Sequence, residues 1–299
     1  MKWEGHRQSR NVEDRRAGGG GLPGPGGGGR RVGGKGLGLG SVAIALVVAW
    51  LFGINPLTVL GLLGGMDGMD AAGPVAQQPA PAPPAADRQA AFVSTVLADT
   101  EDVWHALFRS GGQAYREPAL VLFRGAVPTA CGTGQSAMGP FYCPGDYKVY
   151  IDLGFFETLS RQLGAPGDFA QAYVIAHEVG HHVQRLIGVT DKVDAMRGRV
   201  SQAQMNALSV RVELQADCLA GVWTHHSQRG KHWLEQGDIE EAMNAAARIG
   251  DDALQRQSQG TVRPESFTHG SSEQRMRWFQ RGVQSGQVAA CNTFDAQVL

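Results

Sequence analysis

The longest run of apolar positions lies near the N-terminus. No charged residue occurs between Lys35 and Asp67, and residues 37–54 are almost wholly apolar. As a helix they would be about 27 Å long, close to the thickness of the hydrocarbon core of a bilayer. The pattern predicts one transmembrane helix within residues 36–65. A cleaved signal peptide is the alternative, but both the polar lead-in and the apolar run are long for one.

Composition changes on either side of this run. Residues 1–35 are rich in glycine and arginine, which predicts a disordered tail. Basic residues outnumber acidic ones there, so the positive-inside rule places the tail in the cytoplasm. Residues 66–86 are rich in proline and alanine and predict a semi-extended linker. Residues 87–299 are then predicted to form one domain on the extracytoplasmic side of the membrane.

Within residues 87–299 the apolar positions recur mostly at helical spacing. The predicted helices span about 87–109, a short stretch ending near 163, 168–188, 189–199, 202–226, 238–257 and 271–286, and the predicted strands span 119–127 and 148–153. Capping boxes are predicted at Asp168 with Gln171, Asp238 with Glu241 and Ser271 with Gln274. The count predicts an α+β fold, mainly helical with a small sheet.

The strongest chemical motif is His177-Glu178-Val179-Gly180-His181. Residues i and i+4 share one face of a helix, so both imidazoles can bind a single Zn²⁺ ion. The neighbouring Glu178 then need not bind the metal and can act as a general base toward water. A surface helix with incidental histidines is the alternative.

A second pair of residues at i and i+4, Glu213 and Asp217, lies in the predicted helix 202–226. Its neighbours are apolar, where an unpaired acid is costly. A catalytic zinc needs three protein ligands and one open position, so Glu213 is the candidate third ligand. Asp217 is a candidate acceptor for the second N–H of a ligating histidine. A solvated helix face is the alternative for both acids.

Together the two motifs resemble the gluzincin class of metallopeptidases. The strings 169–184 and 213–218 resemble the bacterial membrane-anchored neutral zinc metallopeptidases, with similarity over about 87–288 but not in the glycine-rich tail. The resemblance implies a zincin-like domain that acts on a peptide or protein. It implies His177, His181 and Glu213 as ligands of one zinc ion, with Glu178 as the catalytic base.

The resemblance also indicates His269 as a second catalytic residue. Peptide hydrolysis passes through an anionic intermediate, which a donor opposite the metal would stabilise. Tyr142 and Tyr150 are weaker candidates for this donor, and capping of the last helix is the alternative role of His269. The strand 148–153 precedes the motif helix, as an edge strand does in many zinc peptidases. An open edge could bind an extended peptide, whereas an interior strand would have no such role.

Four cysteines are present, and none resembles a zinc knuckle. Outside the cytoplasm an even number suggests disulfides, for which four cysteines allow three connectivities. We expect Cys131–Cys143, flanking a glycine-rich loop, and Cys218–Cys291, joining the C-terminal region to the core. Buried free thiols are the alternative.

The sequence therefore predicts a membrane-anchored, extracytoplasmic zinc peptidase. Its partners are a peptide or protein substrate and the membrane, the latter through a single N-terminal helix. The net charge of −1 gives no reason to expect nucleic acid. A non-catalytic, zinc-stabilised interaction domain of the envelope and a zinc hydrolase of a non-peptide amide are the competing functions.

Overall fold

The computed structural model describes residues 1–17 and 87–299. The helices are α1 (Arg88–Ser110), α2 (Gly154–Arg161), α3 (Asp168–Leu186), α4 (Val189–Asp194), α5 (Gln202–Lys231), α6 (Asp238–Arg248), α7 (Asp251–Gln259) and α8 (Ser272–Ser285). The strands are β1 (Val12–Asp14), β2 (Ala119–Phe123), β3 (Ala126–Thr129), β4 (Gly132–Gln135), β5 (Phe141–Cys143) and β6 (Lys148–Asp152). The described part of the chain is thus mainly helical with small sheets, as predicted.

No helix among residues 1–17 and 87–299 is long and apolar enough to cross a membrane. The predicted transmembrane helix (36–65), the predicted linker (66–86) and residues 18–35 of the predicted tail lie outside the described residues.

The main sheet has four strands in the order β1-β2-β6-β5, and β3 and β4 form a separate antiparallel hairpin. The central strands β2 and β6 run parallel, with Leu120 opposite Val149. Of the two alternatives left open for 148–153, the interior strand is confirmed, because β6 pairs with β2 on one side and with β5 on the other, and β5 forms the edge. The sequence did not predict β5, since a strand of three residues between glycines and prolines depends on its neighbours for stability.

The prediction of a disordered tail is wrong for residues 1–17. Val12–Asp14 forms β1, which pairs parallel with β2 and supplies the other edge of the main sheet. Most glycines of the predicted tail lie in residues 18–35. Averaging over 1–35 therefore gave no indication that residues 1–17 form contacts with the folded domain.

Two of the three predicted capping boxes are also wrong. Helices α3 and α6 begin after Gly167 and Gly237, and neither has a side-chain cap. The carboxylate of Glu241 instead accepts the backbone N–H of Phe169, so a tertiary contact replaces the local one. The predicted Ser271–Gln274 box is present on α8.

The predicted helix 238–257 is two helices, because the chain bends at Gly250 where it lies against Ser272.

Helices α5 and α8 cross at a pair of glycines. A Cβ atom at Gly282 would lie 2.9 Å from Cα of Gly221, and closer still to the carbonyl oxygen of Cys218. Real Cβ atoms do not approach backbone this closely, so the crossing requires glycine at this position.

We expect Gly282→Ala to lower the free energy of unfolding by about 3 kcal/mol, since the added methyl group must push two helices apart. Gly230 is the matched control, because it lies on α5 and a methyl group added there would have no atom within 4 Å. Gly230→Ala should change stability by less than about 1 kcal/mol, in the stabilising direction. Urea unfolding of both variants tests this, and equal effects would contradict the packing argument.

Candidate metal centre

The five functional residues of the two motifs lie on α3 and α5, which pack against each other. Gly180 lies at the contact, where a Cβ atom would be 3.0 Å from the carbonyl oxygen of Ala216. Because a glycine stands there, the two helices approach closely enough for Glu213 to reach both histidines. This local feature turns two separate helical motifs into one site.

Three side chains converge on one point. The Nε2 atom of His177 is 3.1 Å from Oε2 of Glu213, and Nε2 of His181 is 3.5 Å from Oε1 of the same carboxylate. One ligand atom from each residue lies within 4.8 Å of the other two. The structure therefore brings together the three residues that the sequence predicts as ligands.

The opposite nitrogen of each imidazole contacts an acceptor. Nδ1 of His177 is 2.7 Å from Oδ1 of Asp217, and Nδ1 of His181 is 2.9 Å from Oε1 of Gln184. The Gln184 amide donates to the carbonyl oxygen of Val212, which fixes the direction of its oxygen. Both Nδ1 atoms therefore carry hydrogen, and both Nε2 atoms are directed at the common point. This arrangement fits a divalent metal.

Asp217 is a fully buried carboxylate whose charge is compensated mainly by Arg275 of α8. Nε of Arg275 is 2.9 Å from Oδ2, and Nη2 is 2.9 Å from Oδ1. The hydroxyl of Tyr173 also donates to Oδ1. Burial raises the pKa of Asp217, but the charges of Arg275 and His177 outweigh it and lower the pKa to about 2. Asp217 is thus held ionised behind His177.

The sequence did not predict a role for Arg275, although it carried a signal. Arg275 lies three, four and seven residues before Trp278, Phe279 and Gly282, so it occupies the apolar face of α8. The structure buries it to 3 % exposure. An arginine on a buried helix face requires a buried acid, and Asp217 is that acid.

Glu178 is buried beside the same point, with 7 % of its surface exposed. Burial raises the pKa of Glu178, the charges of His181 and His177 oppose that shift, and Glu213 adds to it. The net shift is upward, which strengthens the carboxylate as a base.

His269 lines the same cavity, just before α8. Its Nδ1 is 3.1 Å from Oδ1 of Asp251, and Oδ2 of Asp251 accepts the backbone N–H groups of Thr268, His269 and Gly270. The hydrogen bond to Asp251 raises the pKa of His269, against the opposing effect of burial. The N-cap of α8 is Ser271, so His269 does not cap the helix. The sequence did not predict Asp251.

The hydroxyl groups of the two tyrosine candidates, Tyr142 and Tyr150, form hydrogen bonds within the protein. His182 is buried, and its Nε2 donates to the carbonyl oxygen of Arg116, so its Nδ1 accepts the hydroxyl hydrogen of Tyr142. The hydroxyl of Tyr150 donates to Asp146. Neither hydroxyl hydrogen is available for a bound substrate. Within residues 1–17 and 87–299, by contrast, the ring of His269 forms its hydrogen bonds through Nδ1, which leaves Nε2 for a substrate.

His182 makes a pH-dependent contribution to stability. Burial is the main reason that its pKa falls from 6.5 to about 4. A hydrogen bond to the backbone of Arg116 raises the pKa and the charge of Arg116 lowers it, both by less. Between these values the unfolded chain binds a proton that the folded ring does not, so stability present above pH 6.5 is lost as the pH falls toward 4.

Between pH 6.5 and pH 4, His182 should cost the natural protein about 3 kcal/mol of its free energy of unfolding. A variant with glutamine at this position should not show that loss. Urea unfolding across that pH range measures it, with the exposed His6→Gln as the control. Parallel pH profiles for the natural protein and His182→Gln would show that the ring does not titrate as stated.

The site opens into a cavity of about 1040 Å³. Its walls carry both polar and apolar side chains; the apolar ones include Met138, Phe141, Phe155, Leu163, Val174 and Ile249. Strand β5 forms part of the wall, and the disulfide Cys131–Cys143 joins β5 to the end of the β3–β4 hairpin. The second predicted disulfide, Cys218–Cys291, is also present.

Two imidazoles and a carboxylate around one point, with another carboxylate beside them, form the donor set of catalytic zinc sites in metallopeptidases. The chain belongs to the family described as "Putative neutral zinc metallopeptidase", which matches residues 1–294. The match includes the N-terminal segment, which the sequence resemblance excluded.

Two relatives show the extent of this similarity. The "Uncharacterized protein YpfJ" of Escherichia coli (strain K12) is 52% identical over 300 residues, covering 100% of both chains. The "Uncharacterized protein Rv2575" of Mycobacterium tuberculosis (strain ATCC 25618 / H37Rv) is 42% identical over 217 residues, covering 69% of this chain and 72% of the relative. No solved structure matches the chain.

Proposed function

We propose that this protein is a membrane-associated zinc peptidase that hydrolyses peptide bonds on the extracytoplasmic side of the bacterial cytoplasmic membrane. The observation that carries the proposal is the convergence of His177, His181 and Glu213 beside the separate carboxylate of Glu178. A purely structural metal site has no need of a buried carboxylate next to its ligands, so Glu178 favours catalysis over a non-catalytic role.

His177, His181 and Glu213 would hold one zinc ion. When bound, zinc supplies Lewis acidity that makes water a better nucleophile and polarises the scissile carbonyl group. Glu178 accepts the proton of the attacking water and passes it to the leaving amine. Asp217 and Gln184 keep the two imidazoles in the tautomer and orientation that ligation needs.

His269 stabilises the oxyanion that forms from the carbonyl group. Asp251 accepts the Nδ1 hydrogen and favours the protonated ring, whose Nε2–H then donates into the cavity. The three backbone N–H groups bound to Asp251 fix this carboxylate and hence the ring.

The edge strand β5 provides a binding surface for an extended peptide. Among residues 1–17 and 87–299, β5 pairs only with β6, and its residues Phe141 and Tyr142 line the cavity. Main-chain hydrogen bonds to this edge would place a peptide alongside Glu178, and the apolar wall would receive its side chains. A substrate without a peptide backbone could not use the strand edge.

Membrane association rests on the apolar run at 37–54, and the extracytoplasmic location rests on the two disulfides. Disulfides persist in oxidising compartments and are rare in the bacterial cytoplasm.

Incubating the purified full chain with a mixed peptide library tests the proposed activity. We expect cleavage that a chelator abolishes and that added Zn²⁺ restores, with mass spectrometry locating the cut bonds. Cleavage of a cell-wall crosslink with all peptides intact would indicate a non-peptide amide as substrate. Failure on both would support the non-catalytic alternative.

We expect His269→Ala to lower kcat by about 10²- to 10³-fold, because it removes one donor to the oxyanion. Zinc content should stay unchanged, since His269 does not contact the common point of the ligands. The control is His105→Ala, which removes a half-exposed histidine that pairs with Glu117 outside the cavity. Equal kcat values for His269→Ala and this control would exclude His269 from the reaction.

A further inference from the structure

The N-terminal segment is built into the zinc domain through the backbone of β2. The carbonyl oxygen of Asn11 accepts the N–H of Leu120, and the N–H of Arg15 donates to the carbonyl oxygen of Leu122, both at 2.8 Å. Val12 and Asp14 lie opposite the same two leucines. These contacts satisfy the outer edge of a central, buried strand, which would otherwise present unpaired backbone groups.

Side chains of the segment also satisfy a buried charge on α1. The carboxylate of Glu101 is only 2 % exposed and lies 3.0 Å from Nη1 of Arg7. Ser9 and Asn11 donate to its other oxygen. Ser9 and Ser94 exchange two further hydrogen bonds at 2.9 Å. Because a buried unpaired carboxylate is strongly unfavourable, residues 87–299 require this segment in place.

The chain leaves the domain and returns to it at neighbouring points. Nη1 of Arg16 is 2.6 Å from Oδ2 of Asp87. Arg16 is the second-last residue of the described segment 1–17, and Asp87 is the first residue of the described segment 87–299. Asp87 is also the N-cap of α1, so the return point is fixed by the helix. The hydrocarbon core of a bilayer is about 30 Å thick and cannot lie between two groups in contact.

We propose that residues 1–17 and 87–299 lie on the same side of the membrane. The proposal is an alternative to the expectation of a single-pass anchor with a cytoplasmic tail. The proposal assumes the membrane association proposed above. The contacts that support it lie entirely within the described residues.

The charge pattern that suggested a cytoplasmic tail has another explanation. Arg7, Arg15 and Arg16 each pair with a carboxylate of the folded domain or of β1. Arg7 and Arg16 therefore serve the docking of the segment, so these two charges do not report which side of the membrane the tail occupies.

Cysteine labelling of the full chain in spheroplasts tests the proposal. The four natural cysteines are disulfide-bonded, so Gln8→Cys and Gln257→Cys each introduce one free thiol at an exposed position. Arg10→Cys and Ser258→Cys form a second pair for the case in which a first-pair variant fails to accumulate. Each variant is treated with a membrane-impermeant maleimide before and after lysis.

We expect both positions of a pair to react to the same extent before lysis. Reaction at one position, with protection of the other until lysis, would overturn the proposal. Protection of both until lysis would uphold it while placing the domain in the cytoplasm, against the proposed function. Alkaline extraction of membranes tests attachment separately, and a fully extractable protein with matched labelling would uphold shared sidedness without an anchor.

Discussion

Replacing Glu178 by glutamine is expected to lower kcat/KM for peptide hydrolysis by about 10²- to 10⁴-fold while one zinc ion remains bound. The amide keeps the size of the side chain but cannot accept the proton of the attacking water. Because His177, His181 and Glu213 are unchanged, metal content and unfolding midpoint should match those of the natural protein. Peptide cleavage and elemental analysis on the same samples make the comparison.

Glu157→Gln is the matched control for this substitution. Glu157 is an exposed residue of α2 that pairs with Arg161, so the same change of chemistry occurs away from the site. Its kcat/KM should equal that of the natural protein. A Glu178→Gln variant that retains full activity would remove the proposed base from the mechanism.

The second large effect is expected from Arg275→Met, which leaves the fully buried carboxylate of Asp217 without its main counter-charge. Breaking a buried ion pair from one side costs about 3–5 kcal/mol of folding free energy. Because Asp217 orients His177, zinc affinity should also fall, by about 10- to 100-fold. Urea unfolding measures the first effect, and competition with a fluorescent chelator measures the second.

Arg277→Met provides the control on the same helix. Arg277 is 45% exposed and pairs with Glu273, and such a surface pair contributes less than about 1 kcal/mol. Adding Asp217→Leu to Arg275→Met removes the stranded charge and should recover stability but not zinc affinity. If Arg275→Met lowered the free energy of unfolding as little as Arg277→Met does, the charge of Asp217 would not depend on Arg275 as the contacts indicate.

The residues around the common point could be predicted because helical spacing is a local property. His177 and His181 share a face through their i, i+4 spacing, and the apolar neighbours of Glu213 made a solvated role costly. The partners that orient them, Gln184 and Arg275, depend on how three helices pack. Both carried a signal, because Arg275 is a charge on the apolar face of α8 and Gln184 lies three and seven residues after His181 and His177, on the face of α3 that bears the ligands.

The errors in the fold share one cause, which is that tertiary partners outweigh local preferences. Glu241 fits a capping box in sequence but bonds across to Phe169. The segment before residue 18 has too few apolar residues to fold alone, and it is ordered by pairing with β2. The three-residue strand β5 likewise has no independent signal, so its position as the sheet edge depends on β6.

X-ray absorption at the zinc K-edge of the purified full chain tests the central claim most directly. We predict one zinc per chain, with two imidazoles in a shell of nitrogen and oxygen ligands at about 2.0–2.1 Å. Glu213→Ala should change that shell and weaken binding, while Glu178→Gln should keep all three protein ligands. A sulfur shell near about 2.3 Å, or an identical spectrum after Glu213→Ala, would contradict the account.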